Sequence, residues 1–232
     1  MFKRIAVLLL SMAPALSAQT TIETISFWDE ISNVFPLGKP LTATYGQTFT
    51  VPATDNVLQS FSFFLRDLTA SNELVFQGYV SRWDTGTNRL TGPLLYSSGT
   101  RIGPGPGTGA FTRYDFLTGG LPLVSGEAYI AFLSASGHFD EIPVGQSTTE
   151  LGFMFLNSYF GGGFWFKNNG NDFSDLSANM WEFFVGGGID DTAFELKFDE
   201  GGPTTVPEPS TVALLGTGML ALLLGIHRRK QR

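Results

Sequence analysis

From Thr21 to Phe198 apolar and polar residues alternate over short stretches, and glycine, proline, asparagine or aspartate interrupts them at intervals. Alternation with period two puts every second side chain on one face, so the pattern predicts half-buried antiparallel strands. Strands are expected at 21–28, 47–51, 57–67, 74–83, 89–97, 110–117, 128–133, 151–156, 163–167, 180–185 and 192–198. In the third of these Phe61, Phe63 and Leu65 share the face expected to meet the core. Gly103-Pro104-Gly105-Pro106-Gly107 cannot pair in a ladder and marks a loop. Helical periodicity is nearly missing, and no repeat of fixed period is visible. The expected fold is all-β, a jelly-roll-like antiparallel β-sandwich of about ten to twelve strands.

The two ends break the pattern. Met1-Phe2-Lys3-Arg4 is basic, Ile5–Leu10 is apolar and Pro14–Ala18 is rich in small residues, the layout of a secretory signal peptide at 1–18. At the other end Val206, Pro207, Glu208 and Pro209 precede an uncharged apolar run at 211–226. Neither proline can continue a helix or donate to a ladder, so the run is insulated from the sandwich. As a helix it spans about 24 Å, short of the ~30 Å hydrocarbon core. Arg228, Arg229, Lys230 and Arg232 follow it and can snorkel to make up the difference. Four cations in the last five residues argue against burial of this helix in a core. Basic residues at both ends favour the cytoplasm and place everything between them outside. The expected organisation is a signal helix at 1–18, an ectodomain at 19–199 and a linker at 200–210. A single transmembrane helix at 211–226 and a basic cytoplasmic end at 227–232 complete it.

This tripartite tail resembles the PEP-CTERM sorting signal of Gram-negative bacteria, also catalogued as an ice-binding-protein C-terminal domain. The resemblance implies export, transient insertion in the membrane and processing by an exosortase that recognises Val206, Pro207, Glu208 and Pro209. It also implies a final place at the cell surface or outside the cell, among the proteins of biofilms and extracellular matrix. The run Tyr45-Gly46-Gln47-Thr48-Phe49 through Phe64 resembles jelly-roll ectodomains carried by such proteins. Partners implied are the secretion machinery, the exosortase and exopolysaccharide.

Composition sharpens this picture. The chain has 14 basic and 21 acidic residues. Six of the basic ones, but only Glu208 of the acids, lie in the removable ends, so the ectodomain has a net charge near −12. So acidic a surface argues against nucleic acid and anionic membranes as partners. Cysteine is absent, which excludes disulfides, thiolate chemistry and thiolate metal sites.

Candidate chemistry is sparse, and no catalytic set is expected. His138 is the ectodomain's histidine; a triad could be drawn through Ser136, His138 and Asp140, but triads are assembled from distant segments and no Gly-x-Ser-x-Gly elbow exposes a nucleophile, so a loop histidine beside turn residues is expected. Acidic pairs that could hydrolyse a glycoside are too numerous to single out. Asn169, Asn171, Asp172 and Asp175 surround Gly170 with oxygens that suit structural calcium, although such runs are also ordinary turn chemistry. Tyr159, Trp165 and Trp181 lie among glycines and could stack sugar rings if uncovered, whereas burial in the core is the commoner use of such residues. Thr42, Thr44, Thr48 and Thr50 form one short stretch that does not recur, too little for an ice-binding array.

Overall fold

The computed structural model describes residues 19–67, 73–105, 107, 109–139, 147–183 and 190–200. The chain divides after Glu200, and the first unit holds every described residue. The signal segment 1–18, the Pro-Glu-Pro motif, the apolar run 211–226 and the basic end lie outside the described residues.

In chain order the strands are β1 (Thr20–Glu23), β2 (Asn33–Lys39), β3 (Thr44–Thr50), β4 (Val57–Arg66), β5 (Val75–Asp84), β6 (Arg89–Ser97) and β7 (Arg101–Ile102). They continue with β8 (Thr112–Pro122), β9 (Ala128–Ser134), β10 (Ser147–Met154), β11 (Phe164–Lys167), β12 (Asp191–Thr192) and β13 (Phe194–Asp199). A 3-10 turn at Ile25–Phe27 and a short helix α1 (Asp175–Ala178) are the helical elements among the described residues. One sheet runs β1-β13-β4-β10-β12, with β2 also on β10 and β8 also on β4. The other runs β11-β3-β9-β5-β6, with β7 also on β5. All strand pairings are antiparallel, and the sheets pack as a β-sandwich.

The main core lies between the sheets. Phe61, Phe63, Leu65, Phe194 and Phe198 of one sheet meet Phe49, Phe76, Val80, Leu133 and Phe164 of the other, all buried. Rings cross the interface edge-on or tilted, as in Phe153–Phe164 at 5.1 Å and Phe49–Phe198 at 6.0 Å. Each such side chain contributes about 1.5–3 kcal/mol relative to leaving it in water. The expected face of β4 is therefore the core face. Leu58 joins it out of phase, because the ladder to β8 slips between Leu58 and Ser60. A bulge inserts residues on one side and returns the side-chain alternation to the other face.

The second sheet is buried on both faces, which strict alternation does not anticipate. Tyr129, Ala131 and Leu133 of β9 point to the main core, while Ile130 and Phe132 point the other way. On that outer face Tyr79, Trp83, Leu90, Ile130 and Phe132 pack under Leu176 and Trp181 of the segment that follows β11. Gly46 makes the fit possible: a Cβ there would lie 2.8 Å from both Ile130 and Phe132.

Several expected boundaries move. The opening strand ends at Glu23 rather than 28, because Thr24 turns inward and its hydroxyl donates to the Thr192 carbonyl at 2.7 Å. Residues 180–183 form one bridge, Glu182 to Phe166, instead of a strand; 184 and 185 lie outside the described residues. β2 was not expected, since Pro36 and Gly38 disfavour a strand. It pairs with β10 alone, at a sheet edge, where proline is tolerated.

Candidate functional site

The outer face of the second sheet carries the densest group of aromatic side chains singled out from the sequence. Trp83 of β5 lies beside Trp165 of β11, with ring centroids 5.1 Å apart. Trp181 meets Trp83 edge-on at 5.6 Å and Phe132 edge-on at 5.5 Å. It is 0 % exposed, its indole N–H donates to the Leu176 carbonyl at 2.8 Å, and its backbone N–H donates to Asn88 O. Trp181 therefore offers no face to a sugar and takes the core role that is the commoner use of such a residue. The covering segment, not its local glycines, decides its exposure. Trp165 is half-buried and sits edge-on to Phe183, which is 41 % exposed, at 5.3 Å.

Tyr159 lies elsewhere, on the flank where β3 and β13 approach. Its hydroxyl accepts from Thr50 N at 3.1 Å and lies 3.3 Å from the Thr50 carbonyl, to which it donates. The ring packs against Phe194 at 5.7 Å. Burial pushes its pKa up, although the hydrogen bond with Thr50 opposes that shift. The glycines after it do not uncover the ring. A Cβ on Gly162 would fall deep inside contact distance of the Thr48 carbonyl, so the glycine is needed for backbone to lie on backbone. Trp165 and Trp181 are thus brought together through Trp83, whereas Tyr159 stands apart. Trp83 was legible as the end of a strand, but nothing in its neighbourhood marked it as the link.

The Asn/Asp loop uses its oxygens internally. Asn169 Oδ1 accepts from the Thr44 hydroxyl at 2.9 Å, and its amide donates to the Asp172 carbonyl at 3.0 Å. Asn171 Oδ1 accepts the backbone N–H groups of Gly137 and Phe139, both at 3.0 Å. Asp172 Oδ1 accepts from the hydroxyl and backbone N–H of Ser174, and the hydroxyl bond holds its pKa below the ordinary value. Asp175 pairs with Lys167 Nζ at 3.3 Å and accepts from Asn179. Lys167 Nζ also donates to the Met180 carbonyl at 2.7 Å, tying the covering segment to β11. Among the described residues no three acidic or histidine side chains converge on one point.

Sequence reasoning missed a buried polar bridge. Gln47 of β3 and Asp191 of β12 are both 0 % exposed, and Gln47 Nε2 donates to Asp191 Oδ1 at 2.9 Å. The other carboxylate oxygen accepts the backbone N–H groups of Ser158 and Tyr159, each at 2.8 Å. Gln47 Oε1 accepts from Thr192 N and its hydroxyl. Desolvation raises the Asp191 pKa against the effect of these donors. All of these contacts are structural in kind: they join the sheets and pin the loop after β10. Ser136 is buried, His138 N donates to Ala135 O in a turn, and Asp140 lies outside the described residues. Thr42, Thr44 and Thr48 are buried, so they form no exposed array.

Residues 205–230 match the family model of the PEP-CTERM protein-sorting motif. That stretch takes in Val206, Pro207, Glu208, Pro209, Arg228, Arg229 and Lys230. No curated protein matches the chain. Among solved structures it is similar to the cysteine protease and lectin-like domains of a surface-layer-associated protein of Clostridium difficile, at 12 % identity and a TM-score of 0.49. That alignment covers 82 % of this chain and 38 % of the clostridial one. A propeptide-cleaved form of the clostridial protease is similar at 12 % identity and a TM-score of 0.48, covering 78 % and 40 %. This chain spans about two fifths of each.

Proposed function

We propose that the chain is an exported surface or extracellular-matrix protein whose tail delivers it to an exosortase and whose sandwich has no chemistry of its own. The observation that carries this reading is the PEP-CTERM motif at 205–230, which implies export and sorting at the membrane. Pro207, Glu208 and Pro209 are then read by the processing enzyme, and Arg228, Arg229 and Lys230 hold the helix against the cytoplasmic face until it is cut. The basic, apolar and small-residue order of 1–18 supports export from the other end. A jelly-roll-like sandwich suits the role, because a core closed by aromatic packing needs no disulfide to survive outside the cell. Intact mass of the protein recovered from its native host tests the reading. The expected species lacks both the leader and the basic end; a species that keeps Met1 and Arg232 overturns it.

A second reading, a carbohydrate-binding module, is favoured by the half-open Trp165 beside the exposed Phe183. It predicts retention on insoluble polysaccharide that Trp165→Ala abolishes.

A further inference from the structure

The loop that joins β10 to β11 displays Phe155, Leu156 and Phe160 at 73, 55 and 89 % exposure. The run Phe155-Leu156-Asn157-Ser158-Tyr159-Phe160-Gly161-Gly162-Gly163 holds no charged residue, in an ectodomain with a net charge near −12. Exposed Phe27, Ile31 and Leu41, by contrast, share their stretch with Asp29, Glu30 and Lys39.

The loop does not owe this exposure to looseness. Asp191 holds the backbone of Ser158 and Tyr159, the Tyr159 hydroxyl bonds to Thr50, and the Thr50 hydroxyl donates to Gly161 O at 2.9 Å. Tyr159 is drawn inward while its neighbour Phe160 is turned out. A braced apolar tip of this kind marks an interaction surface.

Its place in the fold points to the occupant. Thr50, which holds the tip, follows Phe49, whose ring packs on Phe198, one residue before β13 ends. Tyr159 packs on Phe194 of the same strand. Tyr159 thus lies at the start of β13, and the Phe160–Gly161 end of the tip, held by Thr50, lies toward the end of β13 from which the chain leaves for the linker. The linker 200–210 reaches at most about 40 Å even when fully extended. A tail held in a bilayer keeps this end within reach of the lipid surface.

We propose that loop 155–163 is an interfacial anchor that seats Phe155, Leu156 and Phe160 in the lipid surface of the membrane holding the tail. It orients the sandwich on that surface. This rests on the reading of 211–226 as membrane-inserted. With no cation on the loop the contact is apolar, so uncharged lipid suffices and anionic lipid adds nothing.

The test needs no tail, because both sheets and the three buried clusters are closed within residues 19–200. Purified 19–200 is floated with phosphatidylcholine vesicles at millimolar lipid. It is expected to rise with the vesicles, and Phe155→Ser/Leu156→Ser/Phe160→Ser to cut the bound fraction about tenfold at an unchanged melting temperature. Should the triple variant fail to fold, Phe160→Ser alone, at the most exposed position, is expected to lower binding in the same direction. Absence of flotation, or flotation that neither variant weakens, overturns the proposal. So does a concentration-dependent dimer in ultracentrifugation that the variant abolishes without any lipid binding. Because 19–200 lacks the tail, these failures leave the sorting reading to be judged separately by intact mass.

Discussion

Gln47 and Asp191 face each other across the sandwich, with Gln47 Nε2 donating to Asp191 Oδ1 at 2.9 Å and neither side chain reaching water. The glutamine belongs to one sheet and the aspartate to the other. Their bond is thus a polar rivet in an otherwise aromatic interior, and through Ser158 and Tyr159 it also fixes the loop after β10.

Removing the carboxylate takes the acceptor from the part-buried backbone N–H groups of Ser158 and Tyr159 and leaves Gln47 Nε2 only its longer bond to the Thr48 carbonyl, at 3.4 Å. Asp191→Ala is expected to cost about 2–4 kcal/mol, a fall of roughly 10 °C in melting temperature for a domain of this size. Asp191→Asn keeps an oxygen for the two backbone N–H groups and is expected to cost less than half as much. Urea unfolding of the three proteins measures this; an Ala variant as stable as the parent would show that the bridge is dispensable.

The aromatic pair on the outer face separates packing from exposure. Trp181→Ala removes a fully buried ring and is expected to cost about 3–5 kcal/mol. Trp165→Ala, at a half-open position, is expected to cost about 1 kcal/mol. Thermal melts rank the two, and the reverse order would mean that the covering segment does not pack as described.

How much of this was legible follows from which forces are local. Alternation alone exposed the core face of β4 and the closing strand, because period-two burial is written into neighbouring residues. Leu58 escaped because a bulge is a property of two strands together. For Trp181 the sequence left two uses open, burial being the commoner, and only tertiary packing, which folds its segment over a sheet, decides between them. β2 escaped because the edge position that tolerates Pro36 is known only once the sheet is assembled. The tail was legible in full as a motif, since proline breaker, apolar run and basic end are all composition in a fixed order. Asp191 and Gln47, separated by most of the chain, carried no sequence signal at all.

The Asn/Asp loop gives a metal-removal test. Asn169, Asn171, Asp172 and Asp175 each have an oxygen engaged by a donor from the protein, and Lys167 supplies a positive charge where a cation would sit. Adding EDTA is expected to shift the melting temperature by less than about 2 °C. A fall of about 10 °C would establish a structural cation that rearranges these bonds.

On the outer face of the first sheet Arg113 binds both Asp115, at 2.7 Å, and Glu195. Burial opposes the charge on each carboxylate, but hydrogen bonds, from Arg113 to both and from Ser62 to Asp115, together with the Arg113 charge, outweigh it, so both pKa values lie below their ordinary positions. A depressed carboxylate stabilises the fold above its unfolded pKa and loses that contribution as pH falls through the folded value. The cluster therefore supports the sandwich at neutral pH and begins to lose that support as pH falls below about 4. Asp115 is half exposed, so solvent screening keeps each pair under about 1 kcal/mol. Arg113→Gln is expected to melt one or two degrees, roughly, below the parent at pH 7, and the gap to narrow as pH falls below about 4. Melting curves across that range decide it: a gap that widens on acidification would mean that Arg113 acts through packing on Phe64, 5.8 Å from its guanidinium, rather than through charge.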